Sequence, residues 1–383
     1  MAFLLLWSIG AGACRVGFTF RRFPGVCRPI TKRRCIHTTT MSQEPLVGRN
    51  PVFAQTMIRI KDPEKSKDFY GNKLGMQLLT RLDFPSLTFS LYFFAYTQDK
   101  VPSMDVESQP QRAQWLWNVP YPTLELTHNW GTEKDPNFAY HNGNEDPKGF
   151  GHIGFIVDDV QQAVQALSNA GVKVISTKDS KNGQVAYVAD PDGYWIQLMS
   201  RKSPSSSSTQ EQETLIGKDP VLSQTMFRIK DPTKSRQFYE NGLGMQLIAR
   251  LDYPEEKISH YYYGYTEQPS PHVSGTNQEQ MEYLRSTRFP KMLLEHRWGT
   301  ESDDSVSYHN GNKEPRGFGH IGLTVDDIYR ACENMEKAGF KIVRKPGPFQ
   351  DVGEIAFVAD PDGYWVELIK RSSSGPEKPY SKP

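Results

Sequence analysis

Cysteine is nearly missing from this chain of 383 residues. Three of its four cysteines, Cys14, Cys27 and Cys35, fall in the first forty positions, so the body keeps Cys332 alone and an intramolecular disulfide framework is excluded there. No run of eighteen apolar residues occurs either, so no segment is long and apolar enough to be read as a membrane helix and no membrane partner is expected. A third deficit is local: the first forty residues contain no Asp or Glu, yet they hold Arg15, Arg21, Arg22, Arg28, Lys32, Arg33 and Arg34. The net charge is +1, so the remainder of the chain sits at about −6, a poor electrostatic partner for nucleic acid.

The basic, acid-free opening with its Ser and Thr predicts a mitochondrial presequence over residues 1–43, ending near Arg34-Cys35-Ile36-His37-Thr38-Thr39. A secretory signal built on Phe3 to Ala13 would need positive residues ahead of that stretch, and there are none. Met41 offers a second start, so a mitochondrial location with an additional cytoplasmic form is the expectation.

What the chain does contain is a repeat. Pro147-Lys148-Gly149-Phe150-Gly151-His152-Ile153-Gly154 returns 168 positions later as Pro315-Arg316-Gly317-Phe318-Gly319-His320-Ile321-Gly322. Gln-Thr-Met recurs at 55 and 224, Tyr-His-Asn-Gly-Asn at 140 and 308, and Asp-Pro-Asp-Gly-Tyr-Trp at 190 and 360. The boundaries follow: one repeat over 50–200, a Ser- and Gln/Glu-rich linker over 201–218, a second repeat over 219–371 and a polar tail over 372–383, its frayed character beginning at Arg371.

Each repeat reads as two modules of strand, helix and three strands. In the first, Val52 to Ile60 alternates as a strand, Asp62-Pro63 opens a helix that packs through Phe69, Tyr70 and Leu74, and Gly75 closes it. Strands follow at about Gln77 to Asp83, Thr88 to Tyr96 and Thr123 to His128, with Gln98 to Pro122 a long polar excursion. The next module runs from the Phe150 to Val157 strand through a helix with Val160, Ala163, Val164 and Leu167 on one face to three more strands. The fold class is α+β, four βαβββ modules in one chain.

Modules of this kind curl a sheet around a pocket, and polar residues on inward strand faces become candidate ligands. Gln55, Glu125, His152 and Gln197 stand out in the first repeat; the aligned positions of the second are Gln224, Leu293, His320 and Glu367. Amide, imidazole and carboxylates together make an oxygen-rich site suited to a divalent ion. The glycine-rich octets are not phosphate loops, since no Gly-Lys-Ser/Thr follows them.

Gln55-Thr56-Met57 with Arg59-Ile60-Lys61-Asp62-Pro63, Leu124-Glu125-Leu126-Thr127-His128-Asn129-Trp130-Gly131-Thr132-Glu133, the His152 octet and Asp190-Pro191-Asp192-Gly193-Tyr194-Trp195 together resemble the glyoxalase I (lactoylglutathione lyase) family, in its fused two-repeat form within the vicinal oxygen chelate superfamily. The resemblance covers about 50 to 371. It implies isomerisation of the methylglyoxal–glutathione hemithioacetal to S-lactoylglutathione through an enediolate, with glutathione as cosubstrate, a small-molecule partner and no nucleic acid.

The resemblance also implies that the metal is held across repeats. That gives one complete site of Gln55, Glu125, His320 and Glu367, with Glu367 the first candidate base and Glu125 its counterpart. The second set, Gln224, Leu293, His152 and Gln197, has lost both carboxylates, so one functional site per chain is expected; Glu295, two residues past Leu293, is a weak substitute. Arg59, Asn129 and Arg316 match the family's glutathione contacts, whereas the other side offers Arg228, Arg297 and Lys148. The stretch Pro346 to Glu354 matches a mobile, usually basic loop and here carries Asp351 and Glu354. Zinc is the implied ion, with nickel or cobalt as alternatives, and the repeats are expected to form a pseudo-dimer within a monomer. The rival readings are a noncatalytic glutathione-conjugate binder and a ring-cleaving dioxygenase, the latter disfavoured by Gln55 where a His would be needed.

Overall fold

A computed structural model describes residues 44–176, 184–201, 214–266 and 274–372. The expected presequence, positions 202–213 of the linker and 373–383 of the tail lie outside the described residues.

The chain enters through β1 (Val52–Ile60), buried along almost its whole length. Asp62 then caps α1 (Pro63–Lys67), its carboxylate accepting from the N–H groups of Glu64 and Lys65 with Pro63 in the first turn. The helix widens into a π-type turn over Asp68–Lys73, which turns Phe69 and Tyr70 into the core. Next come β2 (Gln77–Phe84) and β3 (Phe89–Ala95). The expected polar excursion is not all loop: α2 (Gln109–Leu116) forms inside it, because Gln111 reaches back to accept the Ser108 N–H and Ala113 and Leu116 bury one face. β4 (Thr123–Asn129) completes the module.

The second module has β5 (Phe150–Val157), α3 (Val160–Asn169) capped by Asp159, β6 (Val174–Ser176), β7 (Val185–Ala189) and β8 (Trp195–Ser200). The other repeat copies the order with β9 (Val221–Ile229), α4 (Pro232–Arg236), β10 (Gln246–Tyr253), β11 (Ile258–Gly264), α5 (Asn277–Ser286) and β12 (Lys291–Arg297). Its last module is β13 (Phe318–Val325), α6 (Ile328–Lys337), β14 (Lys341–Pro348), β15 (Glu354–Ala359) and β16 (Trp365–Lys370).

Pairing crosses the repeats. One eight-stranded sheet runs β14-β15-β16-β13-β1-β4-β3-β2 and the other β10-β11-β12-β9-β5-β8-β7-β6. The seams are antiparallel, β1 on β13 and β5 on β9, with Met57 opposite His320 in the first and Met226 opposite His152 in the second. Each sheet therefore takes four strands from each repeat. Near the pseudo-twofold axis the hydroxyls of Thr56 and Thr225 lie 2.5 Å apart and the Phe150 and Phe318 rings stack at 4.9 Å. Truncating either ring to Ala would cost about 3–5 kcal/mol.

The octets are glycine-rich because the seams leave no room for a side chain. A Cβ on Gly317 would stand 1.8 Å from the His141 carbonyl oxygen of the other repeat, and one on Gly322 would meet Gln55 Cγ at 2.5 Å. The Asp-Pro-Asp-Gly-Tyr stretches are turns as well: Asp190 accepts the N–H groups of Asp192 and Tyr194 and the hydroxyl of Tyr70. One boundary moves. Arg371, expected to begin the frayed tail, is buried; it bonds the Asp326 carboxylate at 2.6 Å and the Asn50 carbonyl at 2.7 Å, anchoring the end of β16.

Candidate active site

Gln55 stands on β1, Glu125 on the parallel neighbour β4, His320 across the seam on β13 and Glu367 on β16. Register brings all four to one concave face. Gln55 Nε2 lies 2.5 Å from Glu125 Oε2, 2.9 Å from Glu367 Oε2 and 3.4 Å from His320 Nε2. His320 Nε2 is 3.1 Å from Glu367 and 3.5 Å from Glu125. All four side chains are buried.

Burying two carboxylates beside one imidazole is costly unless they are paired. Burial raises the Glu125 carboxyl against the pull of His320. Burial alone would lower the His320 imidazole, but Glu367 and Glu125 outweigh it and bring it to about 9. Acceptors outnumber donors: four carboxylate oxygens face one amide, one ring N–H and the Thr127 hydroxyl at 3.4 Å from Glu125. One ligand atom from each of Glu125, His320 and Glu367 lies within 4.8 Å of the others, so the donor set fits a divalent cation that would relieve the excess negative charge.

The second cavity has the same scaffold and a different content. Gln224 Nε2 donates to Gln197 Oε1 at 2.8 Å and lies 3.2 Å from His152 Nε2, while Gln197 donates to the Tyr187 hydroxyl at 2.6 Å. Leu293 occupies the position of Glu125 and joins an apolar cluster with Met226, Ile248 and Leu284. With no carboxylate in contact, burial outweighs the more distant pull of Glu295 and lowers His152 to about 3, and it stays neutral. Glu295 does not replace the lost ligand: it pairs with His260 at 3.2 Å and Arg228 at 3.5 Å, which together hold its carboxyl below the ordinary value despite burial.

Of the three expected glutathione contacts, Arg59 reaches across the seam. Its Nη1 donates to the carbonyls of Gly317 and Phe318 at 3.1 and 3.0 Å, and its Nη2 to Asn312 at 2.8 Å. Asn129 donates to the Tyr140 hydroxyl at 2.9 Å, and Arg316 is more exposed, beside Glu314. In the acidic stretch after β14, Glu354 is turned outward onto Tyr329 and Lys370 rather than toward the site.

Sequence reasoning missed the aromatic wall. Trp117, at the end of α2, donates its indole N–H to the Val352 carbonyl at 2.7 Å and stands edge-on to Phe93 at 5.6 Å. Phe93 is the strand partner of Glu125, and Phe84, Phe349 and Phe357 extend the same apolar cluster. The Ser108/Gln111 cap followed by Trp115-Leu116-Trp117 was the available signal.

Comparison with known proteins matches this arrangement. A profile described as "Glyoxalase/Bleomycin resistance protein/Dioxygenase superfamily" matches residues 52–198 and again 221–368. A Saccharomyces cerevisiae protein named glyoxalase I is 37% identical over 318 residues, spanning 82% of this chain and 90% of its own. A lactoylglutathione lyase of Pseudomonas aeruginosa is 47% identical over 149 residues, 39% of this chain but 81% of that one, so a single repeat matches most of a bacterial chain. The crystal structure of glyoxalase I from Zea mays superposes with a TM-score of 0.59 over 84% of this chain and 92% of its own; at 23% identity that likeness speaks to the fold.

Proposed function

The chain belongs to the Glyoxalase/Bleomycin resistance protein/Dioxygenase superfamily, and from that premise we infer that it is a lactoylglutathione lyase with one functional site. It converts the hemithioacetal of methylglyoxal and glutathione into S-lactoylglutathione, an isomerisation in which a proton leaves one carbon and returns to its neighbour. The observation that carries the reading is the four-residue cluster of Gln55, Glu125, His320 and Glu367, assembled from both repeats and buried.

The chain's own residues supply the proton chemistry. Glu367 acts as the base that takes the carbon-bound proton and returns it to the adjacent carbon, and Glu125 faces the other side of the substrate. Gln55 and His320 hold the cluster, while Arg59, Asn129 and Arg316 bind the glutathione moiety. The aromatic wall around Phe93 and Trp117 excludes water and covers the methyl end. A divalent ion held by Gln55, Glu125, His320 and Glu367, zinc in our reading with nickel or cobalt able to substitute, supplies Lewis-acid stabilisation of negative charge developing on the substrate oxygens. The two repeats act as a pseudo-dimer in a monomer.

The test is a rise in thioester absorbance when methylglyoxal and glutathione are added to zinc-, nickel- or cobalt-loaded protein. Silence with all three ions would leave a noncatalytic conjugate binder in its place. The location is proposed from the leader alone: residues 1–43 fused to a reporter are expected in mitochondria, with import weakened when Arg33 and Arg34 are replaced, and retention of the intact fusion in the cytosol would reject it.

A further inference from the structure

We propose that the second composite cavity is a metal-independent binding site for a small hydroxylated carboxylate. This rests on the reading that this cavity holds no metal, and it goes on to what the cavity takes instead.

The cavity loses both carboxylates and gains basic side chains. Where the first has Glu125 and Glu367 the second has Leu293 and Gln197, and where the first has Thr123 and Trp117 the second has Lys291 and Arg285. Lys291 begins β12, and strand alternation sets it on the face of Leu293. Its amino group is wholly buried with no carboxylate in ion-pair reach among the described residues, which lowers it to about 7; it donates to the Thr287 hydroxyl at 2.7 Å and the Phe289 carbonyl at 2.8 Å, so Arg285 is the lasting charge. Arg285, in the last turn of α5, donates one guanidinium nitrogen to Gln184 of the other repeat, and its Nε–H is buried without a partner. The carboxylate that is gained, Glu295, is already matched by His260 and Arg228. Arg112, which Gln280 replaces, is spent on Thr80 and the backbone at Arg81 and Glu107.

The wall changes in the same direction. Phe357, Phe93, Phe84 and Leu91 of the first cavity correspond to Tyr187, Tyr262, Tyr253 and His260 of the second, so an apolar lining becomes one of ring faces with polar tips. Gln224 Oε1 is buried with no donor. A buried cationic donor and a buried acceptor left unmet call for a ligand that meets both. A carboxylate answers Arg285, a hydroxyl answers Gln224, and a short carbon skeleton lies against the tyrosine rings. Solvent reaches the cavity, since the His260 and Glu295 side chains are 22% and 21% exposed.

The test uses the full chain loaded with zinc. D-lactate and glycolate are the probes, acetate supplies the carboxylate without the hydroxyl, and inorganic phosphate is the competing oxyanion; binding is followed by calorimetry and by imidazole shifts of His152 and His260. One saturable site per chain is expected for each hydroxy acid, weaker by tenfold or more for acetate and phosphate. Arg285→Trp and Gln224→Leu should each weaken D-lactate binding at least tenfold, and Glu367→Gln should leave it unchanged. Gln197→Glu with Leu293→Glu should abolish it and raise bound zinc from one ion per chain to two. Thermal unfolding of each variant separates loss of the site from loss of the fold. No saturable binding, no shift at His152 or His260 in the unaltered chain, phosphate binding tighter than both hydroxy acids, or loss of binding in Glu367→Gln would each overturn the proposal. Two tight zinc ions in the unaltered chain would overturn the reading beneath it as well.

Discussion

The two cavities share a strand framework and differ in the side chains that line it, and the difference shows how a buried polar cluster depends on being complete. With both carboxylates, Gln55 and His320 are drawn into a tight cluster and the imidazole is held protonated to about 9. With neither, the corresponding Gln224 and His152 settle into neutral amide and ring contacts and the imidazole falls to about 3. Identical positions on identical strands thus carry opposite electrostatics.

Substitutions that import one cavity's residue into the other test this contrast most severely. Glu367→Gln, which makes position 367 match Gln197, should lower kcat about 10³-fold in a thioester assay. Glu125→Leu, matching Leu293, should do the same; more than a tenth of activity surviving either change would break the asymmetry. Next in size is metal content. Stripping with a chelator should silence the enzyme, and titration back with zinc should saturate at one tight ion per chain, whereas two would mean that the second cavity works.

The histidines sharpen the comparison in metal-free protein. His320 lies above the free imidazole value of 6.5, so its stabilising contribution is full below 6.5 and is lost as pH rises through about 9. His152 lies below that value, so it favours the fold above 6.5, and stability declines as pH falls from 6.5 toward 3. Imidazole proton shifts followed from pH 4 to 10 should show His320 titrating in the alkaline half and His152 still neutral at the acid end, and a shared midpoint near 6.5 for the two would erase the distinction. The smallest effect is expected from His152→Ala and Gln224→Ala, which should leave turnover within about twofold; a loss comparable to that of Glu367→Gln would place chemistry in the second cavity.

Much of this was legible from residues alone, for reasons that differ by element. β1 and β5 announced themselves because they are buried strands between unambiguous cap and turn residues, Asp62-Pro63 and Asp159 among them. α2 did not, because its weakly amphipathic turn is embedded in a polar stretch and its stability comes from packing against β2. The positions of Gln55 and His320 could be named, but their approach depends on Gly322 and on a strand seam between residues more than 260 apart, which no local pattern encodes. Arg371 read as tail because its partners, Asn50 and Asp326, are remote in sequence.

The exchange of modules across β1·β13 and β5·β9 also decides where in concentration space the protein can work. Neither repeat owns a cavity, so two separate half-length chains would have to meet before any site existed, and their activity would fade on dilution. Joining them end to end makes that meeting intramolecular, at an effective concentration set by the tether. The covalent link between the repeats thus keeps the site assembled however dilute the protein becomes.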